Sequence, residues 1–329
     1  MKSLRYQGDG VVNWVDLPDP TPGPGQVVVR TAVSALCGSE KHTYLGAGQE
    51  VGNPGHEAAG TIVAVGEGVS WRRGQRVGVS GVTGCGTCAC CRAGQQTYCQ
   101  HRPAGFGGFH AELILVDAFT CLPLPDDVPW DAGVLLTGDG LGVPYHTSRR
   151  LLDSSIETVA VFGQGPIGLG NTLMQATMGR RVIAVDLLAN RLEYAKALGA
   201  AEVVSADAVE TIRALTDGRG ADVCFECAGR PETLRQALAA VRSGGTVAVN
   251  GEQGPLPVSP SEDLIRRDIT LFGSWFYQYA EVPAMIELYR QGLRVTDLIT
   301  HRYAAERAQE AWQAFANGET GKALLQYGS

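Results

Sequence analysis

The sequence is poor in the features that mark membrane, nucleic-acid-binding and exported proteins. None of its apolar runs approaches the roughly 18 residues that a membrane-spanning helix requires. The opening segment MKSLRYQGDGVV lacks the apolar core of a signal peptide, so we expect a cytoplasmic protein whose thiols are reduced. A net charge of −7 without a long block of like charge disfavours a nucleic-acid or anionic-membrane partner, since both need a basic surface.

The sequence does have enough apolar material for two domains, with 329 residues of which 44% are hydrophobic. Up to about residue 125, short β-branched runs such as QVVVRTAV and AAGTIVAVG are separated by Gly and Pro, which predicts a β-rich barrel or sandwich. After about residue 147, apolar strands alternate with helix-length segments, a pattern typical of a doubly wound parallel sheet. Two helical segments and a short strand, KALLQY, close the chain, and that strand is expected to return to the first domain.

A glycine-rich turn lies at the start of the alternating region. VAVFGQGPIGLG holds the pattern G-x-G-x-x-G at Gly163, Gly165 and Gly168, after a predicted strand and at the start of a predicted helix. In that context Gly163 permits the tight turn, Gly165 lets the backbone approach a pyrophosphate, and Gly168 allows the helix to pack closely on the strand. We therefore predict a dinucleotide site, with a purely structural turn as the weaker alternative.

Asp186, at the end of the next predicted strand, indicates which dinucleotide binds. A carboxylate there accepts hydrogen bonds from ribose hydroxyls and repels a 2′-phosphate, so we predict NAD rather than NADP. Arg191 is close enough in sequence to accommodate such a phosphate. The alternative is a surface residue at a helix start that packs against the adenine or pairs with a carboxylate. The remaining predicted cofactor contacts are Pro166, Ile167, Cys227 and Gly251.

Five of the nine cysteines fall in one short segment, GCGTCACCRAGQQTYC. Its spacing C-x2-C-x2-C-x7-C lets four thiolates converge on one tetrahedral zinc ion, and a closed four-sulfur site leaves no position for substrate. We therefore predict a structural zinc bound by Cys85, Cys88, Cys91 and Cys99, with Cys90 free. A redox pair of cysteines is the main alternative, and a zinc module that binds nucleic acid fits the acidic chain poorly.

Three further segments carry side chains that bind metals or move protons: SALCGSEKH, NPGHEAAG and TGDGLGVPYH. Taken singly, such residues are more commonly a core cysteine, a hydrogen-bonded histidine or a turn aspartate. Composition and spacing therefore do not join them into one site. The residues concerned are Cys37, Ser39, His42, His56, Glu57 and Asp139.

The motifs resemble, in order and over nearly the whole chain, those of the zinc-dependent medium-chain dehydrogenase/reductase superfamily. CGSEKH is similar to the family segment C-G-[ST]-[DE]-x-H, PGHEAAG to its G-H-E segment, GFGGFHAELILV to its G-G-F-A-E-Y segment, and VFGQGPIGL to its nucleotide turn. GDGLGVPYHT resembles the E-P-L segment of the sorbitol, polyol and threonine dehydrogenase branch. The resemblance implies an α/β fold, with a GroES-like, β-rich catalytic domain at residues 1–147 and 275–329 and a Rossmann NAD-binding domain at residues 148–274.

The same resemblance implies a catalytic zinc. Cys37 and His56 are its expected ligands, and Glu57 and Asp139 are the candidates for a further carboxylate contact, which we leave unranked. Zinc with an open position lowers the pKa of a substrate hydroxyl, and hydride passes from the hydroxyl-bearing carbon to NAD. Glu40 is expected to contact the ring of His56.

A proton must also leave this site, and the resemblance implies that Ser39 accepts it and that His42 passes it to solvent. The expected substrate is a secondary alcohol of a polyol, a cyclitol or a sugar-like molecule. L-threonine or another amino alcohol is the alternative, and an inactive zinc- and nucleotide-binding protein is the alternative from a different class. SWFYQY is expected near nicotinamide and substrate or at an interface, and DITLFGS resembles a strand that pairs between subunits, which implies a homodimer or homotetramer.

Overall fold

The computed structural model describes residues 1–103 and 107–328. Gly105 and Phe106, which belong to the segment similar to G-G-F-A-E-Y, lie outside the described residues. The chain divides into one unit of residues 1–142 and 277 onward and a second unit of residues 143–276. The boundaries that we predicted, 147 and 274, differ from the observed 142 and 276 by a few residues, because one helix continues across the first boundary.

The first unit begins with short strands joined by long loops, as the sequence pattern indicates. Its first 142 residues hold β1 (Lys2–Gly8), β2 (Val11–Asp16), β3 (Gln26–Ala35), α1 (Lys41–Leu45), β4 (Glu57–Val65), β5 (Arg76–Ser80), α2 (Ala89–Arg92), β6 (Leu113–Asp117), β7 (Cys121–Pro123), α3 (Trp130–Leu136) and the start of α4 (Asp139–Ser148). β1 and β2 pair as an antiparallel hairpin, and β3 pairs antiparallel with both β4 and β6.

The second unit is an alternation of apolar strands and helices. Its elements are β8 (Thr158–Phe162), α5 (Pro166–Thr177), β9 (Arg181–Val185), α6 (Ala189–Ala197), β10 (Glu202–Val204), α7 (Ala208–Ala214), β11 (Ala221–Glu226), α8 (Pro231–Ala240), β12 (Val241–Val249) and β13 (Thr270–Gly273). The strands form a parallel sheet in the order β10-β9-β8-β11-β12-β13. This is the order 3-2-1-4-5-6 of a Rossmann fold, which confirms the predicted α/β class and places the switch of strand order between β8 and β11.

The chain then completes the first unit with α9 (Val282–Arg290), β14 (Ile299–Ala304), α10 (Ala308–Ala316) and β15 (Lys322–Gln326). β15 pairs antiparallel with β3, as expected for a strand that returns to the first domain. The larger sheet of this unit runs β14-β15-β3-β4-β5-β7, with β6 paired to β3 outside that path. Within the described ranges, no helix combines the length and the apolar character that crossing a membrane requires.

Each unit has its own apolar core. In the first unit, Trp312 of α10 is fully buried against the aromatic rings of Tyr6 and Tyr44. In the second unit, β8 and β11 are buried along their whole length, as expected for central strands of a parallel sheet covered on both faces. Leu151 packs into that core beside Val159 and Phe225.

Two adjacent leucines test the core of the second unit, since Leu151 is 4% exposed and Leu152 is 71% exposed. We expect Leu151→Ala to lower the free energy of unfolding by about 2–5 kcal/mol, because it removes buried methyl groups and leaves a cavity. The same truncation at Leu152 should change it by less than about 0.5 kcal/mol. Chemical denaturation measures both values, and equal losses would contradict the assignment of Leu151 to the core.

Candidate metal and nucleotide sites

The four-cysteine lobe, defined here as residues 85–99, folds so that four sulfurs face one another. The Sγ atoms of Cys85, Cys88, Cys91 and Cys99 all lie within 4.8 Å of one another. Backbone N–H groups point at these sulfurs, with Cys88 N–H donating to Cys85 Sγ at 3.3 Å and Cys91 N–H donating to Cys88 Sγ at 3.4 Å. The set fits a tetrahedral zinc ion bound by four thiolates, and Cys90, which is half-buried, is not part of it.

The protonation of the lobe also suits a cation. A hydrogen bond from the hydroxyl of Thr87 helps to lower the pKa of Cys85 to about 5. Burial raises the pKa of Cys91 to about 12. One sulfur is therefore a thiolate at neutral pH, while another loses its proton only when a cation compensates the buried charge.

A second group of ligand atoms comes from three distant segments of the first unit. Cys37 follows β3, His56 immediately precedes β4, Glu57 is the first residue of β4, and Asp139 is the first residue of α4. One ligand atom from each of these four residues lies within 4.8 Å of the others. The structure therefore brings together the four residues that sequence patterns alone left apart.

Distances within this second group match a tetrahedral site. Asp139 Oδ2 lies 3.5 Å from His56 Nε2 and 3.9 Å from Cys37 Sγ. Ligand atoms on a tetrahedral zinc ion stand about 3.3–3.8 Å apart, so the first distance falls within that range and the second is slightly longer. His56 Nδ1 lies 2.9 Å from the carbonyl oxygen of Pro54, which only accepts, so Nδ1 carries the hydrogen and the lone pair of Nε2 is free. Asp139 Oδ1 is buried and has no hydrogen-bond partner among the described residues.

The charge around His56 favours a cation at this point. Burial lowers the pKa of His56, but the neighbouring side chains of Cys37 and Asp139 outweigh it and raise that pKa well above its usual range. Without a metal, the ring would therefore hold a proton on the nitrogen that faces Cys37 and Asp139. A metal ion and that proton compete for the same atom.

Glu57 and Lys322 form a buried ion pair beside this group. Their side chains are 0% and 1% exposed, and Lys322 Nζ lies 2.5 Å from Glu57 Oε1. Burial lowers the pKa of Lys322, but the negative charge of Glu57 outweighs it and keeps the ammonium charged. Glu57 Oε2 has no partner in the described part of the chain, so one carboxylate oxygen is held by the lysine while the other is free for a cation.

Our sequence interpretation missed Lys322. The available signal was a single cationic residue at the start of an apolar strand, KALL, which becomes β15. Breaking a buried pair of this kind by removing one partner typically costs about 3–5 kcal/mol, because the other charge is left uncompensated. The pair is therefore a strong constraint on where Glu57 sits.

Ser39 and His42 lie near Cys37, on a one-turn 3-10 helix and the helix α1 that follows it. Ser39 Oγ donates to Cys37 Sγ at 3.4 Å, and the side chains of Ser39 and His42 are both exposed. Residues three apart on a helical turn lie on one face. The arrangement suits a proton path from the metal group to solvent, and that role stays a prediction.

Glu40 contacts the ring of His56 as expected, at ion-pair distance. Its Oε1 lies 3.7 Å from His56 Nδ1, whose hydrogen bond goes to the carbonyl of Pro54. Glu40 is also fully buried and accepts from the backbone N–H of Cys37 and the hydroxyl of Tyr6, with His110 Nε2 at 2.9 Å. Burial raises the pKa of Glu40, but its interactions with His110, His56 and Tyr6 together outweigh burial and lower that pKa. This carboxylate also anchors the Cys37 backbone.

Two glycines of the nucleotide turn are in the tight packing that the pattern predicts, and the ligand role of Gly165 stays a prediction. Gly163 has φ +87°, and a Cβ there would lie 2.7 Å from the backbone nitrogen of Ala228. A Cβ at Gly168 would lie 1.7 Å from the carbonyl oxygen of Gly163, whereas a Cβ at Gly165 would meet nothing within 4 Å. Gly163 and Gly168 are thus demanded by packing, and Gly165 faces open space at the start of α5, where helix N–H groups attract phosphates.

Asp186 follows β9 and faces the glycine turn. Its Oδ2 accepts from the backbone N–H of Gln164 at 2.7 Å, and its Oδ1 accepts from the backbone N–H of Leu188 at 2.9 Å. Arg191 Nη1 lies 3.7 Å from the same carboxylate. The structure therefore favours the reading of Arg191 as a residue that pairs with Asp186.

The other predicted cofactor residues lie at the same end of the parallel sheet. Pro166 and Ile167 open α5, and Cys227 follows β11, where its N–H donates to the carbonyl of Phe162 at 2.8 Å. Gly251 follows β12, and a Cβ there would lie 2.4 Å from the backbone nitrogen of Gly229. These positions surround the switch point of the strand order, where dinucleotides bind in this fold.

Comparisons with known proteins show which family the chain resembles over its whole length. The family model of the alcohol dehydrogenase GroES-like domain matches residues 23–126, and that of zinc-binding dehydrogenases matches residues 166–291. L-threonine 3-dehydrogenase of Anaeromyxobacter sp. strain K is 31% identical, covering 100% of this chain and 99% of the relative. Sorbitol dehydrogenase of Bacillus subtilis strain 168 is 31% identical over 95% of this chain and 93% of the relative. The solved structure of RspB from Escherichia coli CFT073 with NADH is 26% identical, with a TM-score of 0.87 and 99% of each chain covered.

Metal analysis of the purified chain and three serine variants tests the two metal groups. We expect two zinc ions per unmodified chain, because each group has a complete set of ligands. Cys85→Ser should lose the ion of the four-cysteine lobe, Cys37→Ser should lose the other ion, and Cys90→Ser should keep both. Atomic emission on protein dialysed against metal-free buffer gives the count.

Cys90→Ser is the matched control, since it changes a thiol of the same lobe that is outside the four-sulfur set. Loss of zinc in that variant would show that the ligand assignment is wrong. A single zinc ion that depends on Cys85 and not on Cys37 would remove the second metal group from the protein.

Proposed function

Because the chain belongs to the zinc-dependent medium-chain dehydrogenase/reductase superfamily, whose members are zinc- and NAD-dependent oxidoreductases, we propose that it oxidises a secondary alcohol of a polyol, cyclitol or sugar-like substrate to a ketone. The observation that carries the proposal is the convergence of Cys37, His56, Glu57 and Asp139. Asp139 stands in a segment similar to that of the polyol and threonine branch, and it gives the site a carboxylate where other members have a cysteine.

Among the two carboxylates, Asp139 is the proposed third ligand beside Cys37 and His56. Its Oδ2 lies 3.5 Å from His56 Nε2 and 3.9 Å from Cys37 Sγ, and its Oδ1 has no hydrogen-bond partner among the described residues. Glu57 is already paired with Lys322 through Oε1, so its proposed role is to face the site with Oε2. A zinc ion bound here supplies a Lewis acid that lowers the pKa of a substrate hydroxyl.

The chain's own residues then bind, orient and exchange a proton. Glu40 fixes the backbone of Cys37, and the carbonyl of Pro54 fixes the ring of His56, so both ligands are oriented before substrate arrives. Ser39 accepts the hydroxyl proton, and His42, exposed on the next turn, passes it to solvent. The glycine turn and Asp186 hold NAD in the second unit, and NAD supplies the hydride acceptor.

L-threonine or another amino alcohol is the second candidate substrate. The observation that favours it is the equal identity, 31%, of this chain to L-threonine 3-dehydrogenase and to sorbitol dehydrogenase. The two substrate classes differ in charge, since an amino acid also presents an ammonium and a carboxylate group. The assay described below separates them directly.

A homodimer or homotetramer is part of the proposal. β13 is the outermost strand on one side of the sheet of the second unit and pairs only with β12 among the described strands. A free strand edge of this kind pairs readily with another chain. The exposed part of DITLFGS therefore suits pairing with a second copy.

A substrate panel tests the proposed activity. We expect the two-zinc protein to reduce NAD fastest with sorbitol, xylitol, myo-inositol or 2,3-butanediol, and more slowly with L-threonine, because the metal group needs only a neutral secondary hydroxyl. Absorbance of reduced nicotinamide follows the reaction. Fastest turnover of L-threonine would establish the second candidate, and no turnover of any alcohol by fully loaded protein would establish the inactive binding protein.

Asp186→Ala tests the proposed nucleotide recognition. Removing an acceptor of charged hydrogen bonds, each worth about 1.5–3 kcal/mol, should weaken NAD binding roughly 10-fold or more and reduce the preference over NADP. Calorimetric titration of both dinucleotides measures the ratio, with Arg191→Ala as the control. Unchanged discrimination in Asp186→Ala would count against the ribose assignment, and a selective loss of NADP binding in Arg191→Ala would assign the phosphate contact to Arg191.

A further inference from the structure

The four-cysteine lobe binds the chain segment at residues 277–281 through several hydrogen bonds, and one buried glutamine makes two of them. Gln96 is fully buried between Cys91 and Cys99, and its side-chain Nε2 donates to the carbonyl of Tyr277 at 2.8 Å. Its Oε1 accepts from the N–H of Tyr279 at 2.9 Å. The amide thus pairs with two backbone groups of the segment, as a neighbouring strand would, and holds it in a single position.

The lobe itself has little regular structure to hold Gln96 in place. Its one α-helix, α2, has four residues, and Gln96 begins a single 3-10 turn. A Cβ at Gly84 would lie 2.4 Å from Cys91 Sγ, so the backbone beside Gln96 is packed directly on the sulfurs. The position of Gln96 therefore depends on the four sulfurs being drawn together, as a bound zinc ion does.

On its other side, the same segment contacts two residues that flank Asp139 of the second metal group. Tyr277 is fully buried, and its hydroxyl donates to the carbonyl of Thr137. Thr137 caps the C-terminus of α3, where carbonyl groups lack partners within the helix. The ring of Tyr277 covers Gly142, since a Cβ there would lie 2.2 Å from Tyr277 Cδ1.

Asp139 lies between these two contacts. Tyr277 contacts the carbonyl of Thr137, two residues before Asp139. It also contacts Gly142, three residues after Asp139 in the first turn of α4. Oδ1 of the Asp139 carboxylate has no hydrogen-bond partner among the described residues. Its placement relative to Cys37 and His56 is therefore set by the backbone on either side.

We infer that Gln96 and Tyr277 are positioning residues through which the four-cysteine lobe holds Asp139 in the metal group of Cys37 and His56. The inference rests on the proposed function only in taking Asp139 as a ligand. Its consequence is that the two metal groups are coupled: loss of zinc from the lobe lowers the affinity of the second group, although no lobe residue touches the second metal position.

Two tyrosines of the segment make a matched pair for the test. Tyr279, like Tyr277, is buried and donates its hydroxyl to a backbone carbonyl, that of Val82 at 3.0 Å. Only the Tyr277 hydroxyl reaches the backbone beside Asp139. Phe at either position removes one hydroxyl and keeps the ring, so a general loss of packing would affect both variants alike.

The experiment loads metal-free full-length Tyr277→Phe, Tyr279→Phe and unmodified protein with one equivalent of zinc and titrates the second site with cobalt(II) against a chromophoric chelator. We expect Tyr277→Phe to weaken cobalt binding roughly 10-fold or more, the range for contacts that orient a metal ligand, and to change the cobalt absorption spectrum. Tyr279→Phe should stay within about threefold of the unmodified protein with an unchanged spectrum.

Gln96→Glu and Cys85→Ser complete the test. Gln96→Glu keeps an acceptor for the Tyr279 N–H and removes the donor to the Tyr277 carbonyl. It should therefore weaken cobalt binding at the second site as Tyr277→Phe does. If Tyr277→Phe does not fold, Gln96→Glu provides the test. Cys85→Ser removes the zinc ion from the lobe and should likewise weaken cobalt binding at the second site. Equal effects of the two tyrosine variants, or no effect of either, would overturn the inference. Because metal affinity is read without substrate, failure of the alcohol assay leaves this result unaffected.

Discussion

The pairing of β3 with β4 on one side and β15 on the other is the constraint on which the metal group of the first unit depends. Ser34 pairs with Ala58 of β4, and Ala35 pairs with Leu324 of β15. Cys37 follows directly at the end of β3, where β4 begins at Glu57 and β15 begins at Lys322. Three strands therefore start or end at one edge, and a shift of register by one residue would turn the ligands to the opposite face.

Charge compensation explains why this edge tolerates so many buried polar groups. Glu57 is matched by Lys322, and Glu40 is matched by His110 and by backbone and hydroxyl donors. Among the buried polar atoms without a partner in the described residues, the two carboxylate oxygens, Glu57 Oε2 and Asp139 Oδ1, both belong to the candidate metal ligands. Since unpaired buried carboxylate oxygens are costly, their concentration at one point is the physical mark of a cation site.

Local patterns were sufficient for the Rossmann unit and for the four-cysteine lobe. The glycine turn, the strand–helix alternation and the spacing of Cys85 to Cys99 are all contained in short segments, so their geometry follows from neighbouring residues. Glu40 reaches the ring of His56 only at 3.7 Å, because the carbonyl of Pro54, two residues before His56, takes the hydrogen bond of the same ring nitrogen. The unit boundary at residue 142 lies inside α4, where no change of pattern marks it.

The sequence by itself determined the fold class, the dinucleotide turn and the identity of the candidate ligands, because each rests on residue type and on spacing along the chain. Only the tertiary structure decided how Cys37, His56 and Asp139 meet, that Lys322 neutralises Glu57, and that Gln96 and Tyr277 connect the lobe to the first turn of α4. Apart from Cys37 and His56, the residues that these contacts join lie far apart along the chain, and strand register and the burial of charge set the contacts. Short-range spacing encodes neither.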